Sequence, residues 1–392
     1  MNKIAALVLV GGEGKRLKGL TINKAKPYVS FFGKYRLIDF TLSSLSFSHI
    51  NDVSLITQYQ PHELIKYVGN GSAWDLNADS NGIAFLTPHS ASDGSIVLQK
   101  GTANAILSEL DYIKNLDVDY ILILSGDQVY KEDFKAVLDS HIKNKASLTI
   151  LSYDLEDKKE LSRFGILEIA KNGRITGFEE KPLNPKSSHI SMGIYLFNKD
   201  TLLKYITLAD KLTDFGRDLV PYIISQNERV FAYKHNSIFF DLGTVDGLYN
   251  SNMYFLDNHD KIKNSHEKKI YSKPMNYPPH LIKSTAIVKN SIIADGALIK
   301  GSVTHSVISF DVYVGLNTKI KDSVILPGCK IEDNSTIINA IIDEDMLIPS
   351  GTSLVFSNPT LVDRFNFKDG LFNEWFIYGY WCNINTRFFF IY

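Results

Sequence analysis

Residues 4–10 form an unbroken apolar run that stops at three glycines, Gly11, Gly12 and Gly14. Such a run predicts a strand buried on both faces, as in a parallel sheet. Short apolar runs at 53–57, 83–87 and 120–124 alternate with stretches of helical spacing at 38–50, after Pro61, and at 101–113. That alternation predicts a doubly wound α/β sheet. From residue 146 the pattern turns strand-rich, with strands expected at 147–153, 164–169, 175–180 and 190–197 and a hairpin turn at Asn172-Gly173. Helices are expected over 199–206, 216–225 and 244–259, and short strands at 230–233 and 238–241. Residues 1–260 therefore read as one domain, and 261–280, with Pro274, Pro278 and Pro279, as a linker.

Past the linker, small apolar residues recur every six positions: Ile287, Ile293 and Ile299; Val314 and Ile320; Ile325, Ile331 and Ile337; Ile342 and Ile348. A β-sandwich would alternate by two. A six-residue period predicts a parallel β-helix over 281–356, each coil burying its aliphatics against the next. Residues 357–392 form an aromatic-rich tail, with Trp375, Phe376, Tyr378, Tyr380, Trp381 and 388–390 crowded together. It is too short and polar to span a membrane, and packing on the β-helix or a partner subunit is expected.

Composition narrows the class. The chain has 392 residues, 44% hydrophobic and 22% charged, with net charge −1, so no bulk field recruits nucleic acid or an anionic membrane. Cys329 and Cys382 stand far apart and suggest neither a disulfide framework nor a zinc site. No run reaches the roughly 18 apolar residues of a membrane span. Met1 lies directly before the first strand, so a signal peptide is not expected and a cytoplasmic location is.

The chemistry begins at the glycine loop. Glycine lets backbone N–H groups approach a phosphate, and Lys15, Arg16 and Lys26 add positive charge. The loop is not a dinucleotide fingerprint, because Leu17 stands at the third glycine. It is not a Walker loop either, because Arg16 follows Gly-Lys where Ser or Thr is needed. A triphosphate pocket is expected at the carboxyl ends of the strands, where Gln58 and Asp127 also fall. Asp127 and Asp241, each closing an apolar stretch, suit Mg²⁺, which takes one or two carboxylates plus phosphate oxygens. Glu180 offers an acceptor for sugar hydroxyls and Lys181 a point charge for a phosphate, with Gly165 and Ser191 as small residues in the same lobe. No spacing supports a nucleophilic triad or a general base. A sugar phosphate has a second pKa near 6 and is a dianion at neutral pH. It can attack a nucleoside triphosphate in line, with Arg16 and Lys26 stabilising the leaving pyrophosphate.

The motifs GGEGKRL, AKP, KYRLIDFTLS, TQYQ, GTANAI, SGDQVY, RFGI, EEKP, SMGIYLF, DFGRDLVP and DLGT, in this order over residues 4 to about 256, resemble the bacterial glucose-1-phosphate adenylyltransferase (ADP-glucose pyrophosphorylase) family. The resemblance implies a Rossmann-like nucleotidyltransferase domain with a mixed sheet, followed by a C-terminal left-handed parallel β-helix. It implies ATP and glucose 1-phosphate as substrates, Mg²⁺ as cofactor, glycogen synthesis as context, and an allosteric homo- or hetero-tetramer. It places Gly11 to Arg16 and Lys26 on the triphosphate, and Gln58, Gln99, Gly101, Thr102 and Gly126 around the nucleotide. Arg16, Lys26 and Asp127 become the catalytic set and Asp127 with Asp241 the metal ligands. Gly165, Glu180, Lys181, Ser191 and Asp214 line the sugar-phosphate site. The chain departs from the family pattern in three places: Leu98-Gln99-Lys100 replaces Trp-Tyr-Lys or Trp-Tyr-Arg, Asn23 stands where some members carry an effector-binding lysine, and the aromatic tail is unlike the usual end. Two further readings share these residues: a nucleotidylyltransferase for another base or sugar, and a non-catalytic regulatory subunit. A hexapeptide acyltransferase would leave the charged motifs unexplained.

Overall fold

The computed structural model describes residues 3–77, 82–88, 101–262, 268–368 and 371–372. Gln99, its neighbours Leu98 and Lys100, and the aromatic cluster from Trp375 onward lie outside the described residues.

A nine-stranded mixed sheet organises the first two thirds of the chain. Its strands are β1 (Ile4–Leu9), β2 (Asp52–Ile56), β3 (Ile83–Leu86), β4 (Tyr120–Ser125), β5 (Leu148–Asp154), β6 (Gly165–Ile169), β7 (Ile175–Glu180), β8 (His189–Asn198) and β9 (Val230–Lys234). β3, β2, β1 and β4 run parallel in that spatial order, and β8 joins β4 antiparallel. β5 lies against β8 and carries β9, while the β6–β7 hairpin meets β8 at the Ile190–Ile166 pair. The apolar run of β1 is buried because helices cover both faces. Ala6 and Val8 join one core with Leu122 and Leu124, and Ala5 and Leu7 join another with Ile121 and Ile123. A two-stranded ribbon, Gln128–Tyr130 with Phe239–Asp241, crosses the end of the sheet.

Two expected helices differ from their pattern. The 101–113 helix is two, Thr102–Leu107 and Leu110–Asn115, broken where Glu109 leaves helical geometry at φ −101° and ψ 17°. The 216–225 helix opens with a widened turn, Leu219 N–H donating to Asp214 O at 3.0 Å, and only then runs as Val220–Ser225. Pro221 has no N–H to donate, and the wider turn precedes it.

The C-terminal part is a parallel β-helix. Val307 pairs with Val324 and Val324 with Ile341, so equivalent positions repeat every 17 residues along most of it, as in the Ser323–Ser306 bond. One early coil is shorter: Ile287 pairs with Ser302, Ile292 with Val307 and Leu298 with Tyr313, each 15 residues on. The six-residue step is thus real along each face, but one corner per coil shortens it to five, as between Ile320 and Ile325. One expected core position is wrong: Ile287 is 53% exposed, and Val288 points inward beside Val303. Asp311, Asn317, Asp322, Asn334, Asn339 and Asp345 turn the corners with positive φ, a conformation short polar side chains tolerate.

The β-helix docks on the first domain through an outward apolar ladder. Val307, Val324, Leu326, Ile341 and Leu361 pack with Leu17, Leu20, Phe31, Leu248 and Phe255 in one core. Helix Val245–Asp257, capped by Thr244 Oγ1 accepting from Gly247 N–H at 3.0 Å, supplies part of that surface.

Candidate active site

The strand ends collect the residues in question. Gly11 follows β1 and Gln58 follows β2, and a side chain on Gly11 would stand 2.8 Å from Gln58 Cβ, so the glycine permits the close approach. Gly14 adopts φ +63°, a left-handed turn, just before the short helix Lys15–Thr21. Gly12 faces open space, while Gly126 is packed against Val10 and Ile38. Lys15 pairs with Glu13 at 2.5 Å on the surface.

Lys26 is the centre of the cleft. Its Nζ lies 2.6 Å from Asp127 Oδ2 and 3.6 Å from Asp241 Oδ1, with its side chain only 7% exposed. Asp127 follows β4 through Ser125 and Gly126, and Asp241 ends the crossing ribbon. Burial pulls the Lys26 ammonium down, but the two carboxylates outweigh it and hold it above the ordinary lysine range. Burial pushes Asp127 up, and Lys26 with Ser125, whose hydroxyl donates to Asp127 Oδ1, holds it below the usual carboxylate range. Arg16 closes the same side, its guanidinium within 2.8 Å of the position a side chain on Gly243 would take. Two carboxylates sharing one ammonium define a small volume that a hard cation can share with phosphate oxygens. Among the described residues no group of three or more His, Cys, Asp or Glu could hold a metal ion by itself.

The second cluster lies at the β6–β7 end. A side chain on Gly165 would meet Phe178 Cζ at 2.4 Å and Glu180 Oε2 at 2.9 Å, and one on Gly216 would meet Glu180 Oε2 at 2.5 Å. Lys181 Nζ pairs with Glu180 Oε1 at 2.5 Å. Thr102 Oγ1 donates to Asp214 Oδ2 at 3.1 Å and accepts from Phe215 N–H at 3.0 Å, so these two form one unit. Gly101 is held against the backbone of Thr213. Ser191 Oγ accepts from Gly193 N–H at 3.2 Å.

Three residues inside the quoted motifs escaped the sequence reading. Arg163 brings Nη2 to 3.6 Å from Asp241 Oδ2, with Nε and Nη2 buried without a hydrogen bond. Gln128 donates to Met192 O at 2.9 Å while its Oε1 is buried without a partner. Tyr195, buried with its ring stacked on Phe215 at 5.3 Å, lies beneath the second cluster. RFGI, SGDQVY and SMGIYLF contained them, but a motif does not say which of its side chains turn inward.

A glycine loop at the parallel strands of a mixed sheet, two acid side chains facing a buried lysine, and an appended β-helix define a nucleotidyltransferase. The family model described as nucleotidyl transferase matches residues 5–258, and a GlmU-like C-terminal hexapeptide model matches 279–369. Curated relatives include glucose-1-phosphate adenylyltransferases of Bacillus thuringiensis (strain Al Hakam), 41% identical over 90% of this chain and 94% of the relative, and of Bacillus cytotoxicus, 41% identical over 88% and 93%. That of Bacillus cereus (strain Q1) is 41% identical over 90% of this chain and 94% of its own. The chain belongs to the glucose-1-phosphate adenylyltransferase family. No helix of the described residues is long and apolar enough to cross a membrane.

Proposed function

We propose that the protein joins ATP and α-glucose 1-phosphate to give ADP-glucose and pyrophosphate, the activated donor for glycogen synthesis. The observation that carries the reading is Lys26 held between Asp127 and Asp241 at the carboxyl end of the sheet, beside the glycine loop. The triphosphate lies along residues 11–16, with Gln58, Gly101 and Thr102 at its nucleoside end. Glucose 1-phosphate sits against Glu180, Lys181, Ser191 and Asp214. Its phosphate oxygen attacks the α-phosphorus in line, a P–O bond to pyrophosphate breaks, and the electron pair leaves on pyrophosphate. No proton acceptor is needed, because the nucleophile is already a dianion. Arg16 and Lys26 neutralise the departing charge, and Arg163 steadies Asp241. Asp127 and Asp241 fit Mg²⁺, which when bound would screen the phosphates that the two substrates bring together.

Pyrophosphate release with glucose 1-phosphate and each of ATP, UTP, dTTP and GTP tests the reading. ATP-selective turnover supports it; turnover with another nucleotide, or none, overturns it. Assembly as a tetramer and a cytoplasmic location belong to the same proposal, and light scattering on the purified chain tests the first.

A further inference from the structure

One carboxylate of the β-helix grips the segment that carries Lys26. Glu344 accepts from Ser30 Oγ at 2.6 Å and pairs with Lys24 Nζ at 2.7 Å and Arg36 Nη1 at 3.2 Å. Arg36 also donates to Tyr28 O at 2.5 Å and lies 3.6 Å over the Tyr28 ring. Residues 24, 30 and 36 are therefore tied directly, and residue 28 through Arg36, to a single side chain more than 300 positions away. Lys26 lies inside that span, between the fully buried Ala25 and the buried Pro27. The catalytic domain supplies none of this carboxylate; it comes with the docked β-helix.

We infer that Glu344 is a positioning residue for the triphosphate pocket: by holding Lys24 and Arg36 it sets where Lys26 stands between Asp127 and Asp241. The inference rests on the proposed reaction and adds to it a dependence on the β-helix. Burial pushes the Glu344 carboxyl up, but Arg36 and Lys24 outweigh it and hold it at about 2, so it is ionised at every working pH. Lys24 and Lys26 are two residues apart, one anchored to the β-helix and one to the cleft, so a shift at the first is passed along one short stretch of backbone.

The experiment uses the full chain. Glu344→Gln keeps shape and one acceptor but removes the charge. The expected result is ATP binding, by calorimetry with magnesium chloride, weaker by about tenfold, and kcat/KM for ATP in pyrophosphate release lower by about the same factor, while KM for glucose 1-phosphate stays put. Lys24→Met should reproduce this pattern. In a Lys26→Gln background, Glu344→Gln should lower kcat/KM by less than about twofold, since the group it positions is gone. Equal losses in both backgrounds, or unchanged ATP affinity, overturn the inference and leave the reaction standing. A wild-type chain that binds no ATP overturns both.

Discussion

Lys26 Nζ stands 2.6 Å from Asp127 Oδ2 with both side chains largely withdrawn from water. The aspartate is depressed and the lysine raised, so the signs are complementary. Asp127 contributes stability above its unfolded pKa of about 4, lost as pH falls through the lower folded value. Lys26 contributes below about 10.4, lost as pH rises through the higher folded value. Between those limits the pair's contribution is flat.

Lys26→Gln leaves Asp127 without its buried cation and Asp241 with Arg163 alone. Removing one partner of a buried pair costs roughly 3–5 kcal/mol, and the low end applies here because both aspartates keep some contact with water. Urea denaturation near neutral pH measures the loss, and kcat should fall about 10²–10³-fold. Wild-type turnover in this variant would remove Lys26 from the reaction.

Asp127→Asn keeps the side-chain shape and leaves Lys26 facing Asp241. Activity should drop about 10²–10³-fold while circular dichroism stays unchanged. Near-normal turnover overturns the assignment of Asp127 to the phosphates and their metal.

Gly165→Ala places a methyl group 2.4 Å from Phe178 Cζ and 2.9 Å from Glu180 Oε2. Overpacking of this kind costs about 1–3 kcal/mol and displaces Glu180. The expected signature in steady-state kinetics is a higher KM for glucose 1-phosphate with KM for ATP unchanged. Equal rises in both would dissociate Gly165 and Glu180 from the sugar site.

His305 bridges the two domains, its Nδ1 2.6 Å from Asp322 and its Nε2 3.0 Å from Asp257. Burial pulls the imidazole down, but the two carboxylates outweigh it and raise its pKa. A raised folded pKa means the stabilisation is complete below about 6.5 and lost as pH rises through the folded value. The melting temperature of the wild type should therefore converge on that of His305→Gln between neutral and mildly alkaline pH. Parallel melting curves across that range would refute the bridge.

Part of the fold around this site is legible in the sequence. The strand 4–9 announces itself because both faces are buried, and the glycines after it mark a place where Gly11 passes close to Gln58 and Gly14 takes a positive φ. What stayed hidden needs distance in space. Nothing local marks Arg163 as a neighbour of Asp241, or Glu344 as the partner of Lys24 and Arg36. The coil length escaped for a different reason: a corner that drops one residue leaves the six-residue rhythm intact on each side. Ile287 misled because an isoleucine on the rhythm looks buried, whereas Val288 beside it carries the inward position.

The apolar ladder Val307, Val324 and Ile341 has a further consequence. Its rungs are nearly alike, so sliding the second domain by one coil would present the first with almost the same greasy surface. Hydrophobic contact alone is a poor vernier. One turn earlier, the place equivalent to Glu344 is held by Pro327, which offers no charge. The single acid thus acts as a key that admits only one alignment, and a mis-seated molecule would strand Lys24 and Arg36 without their counter-ion.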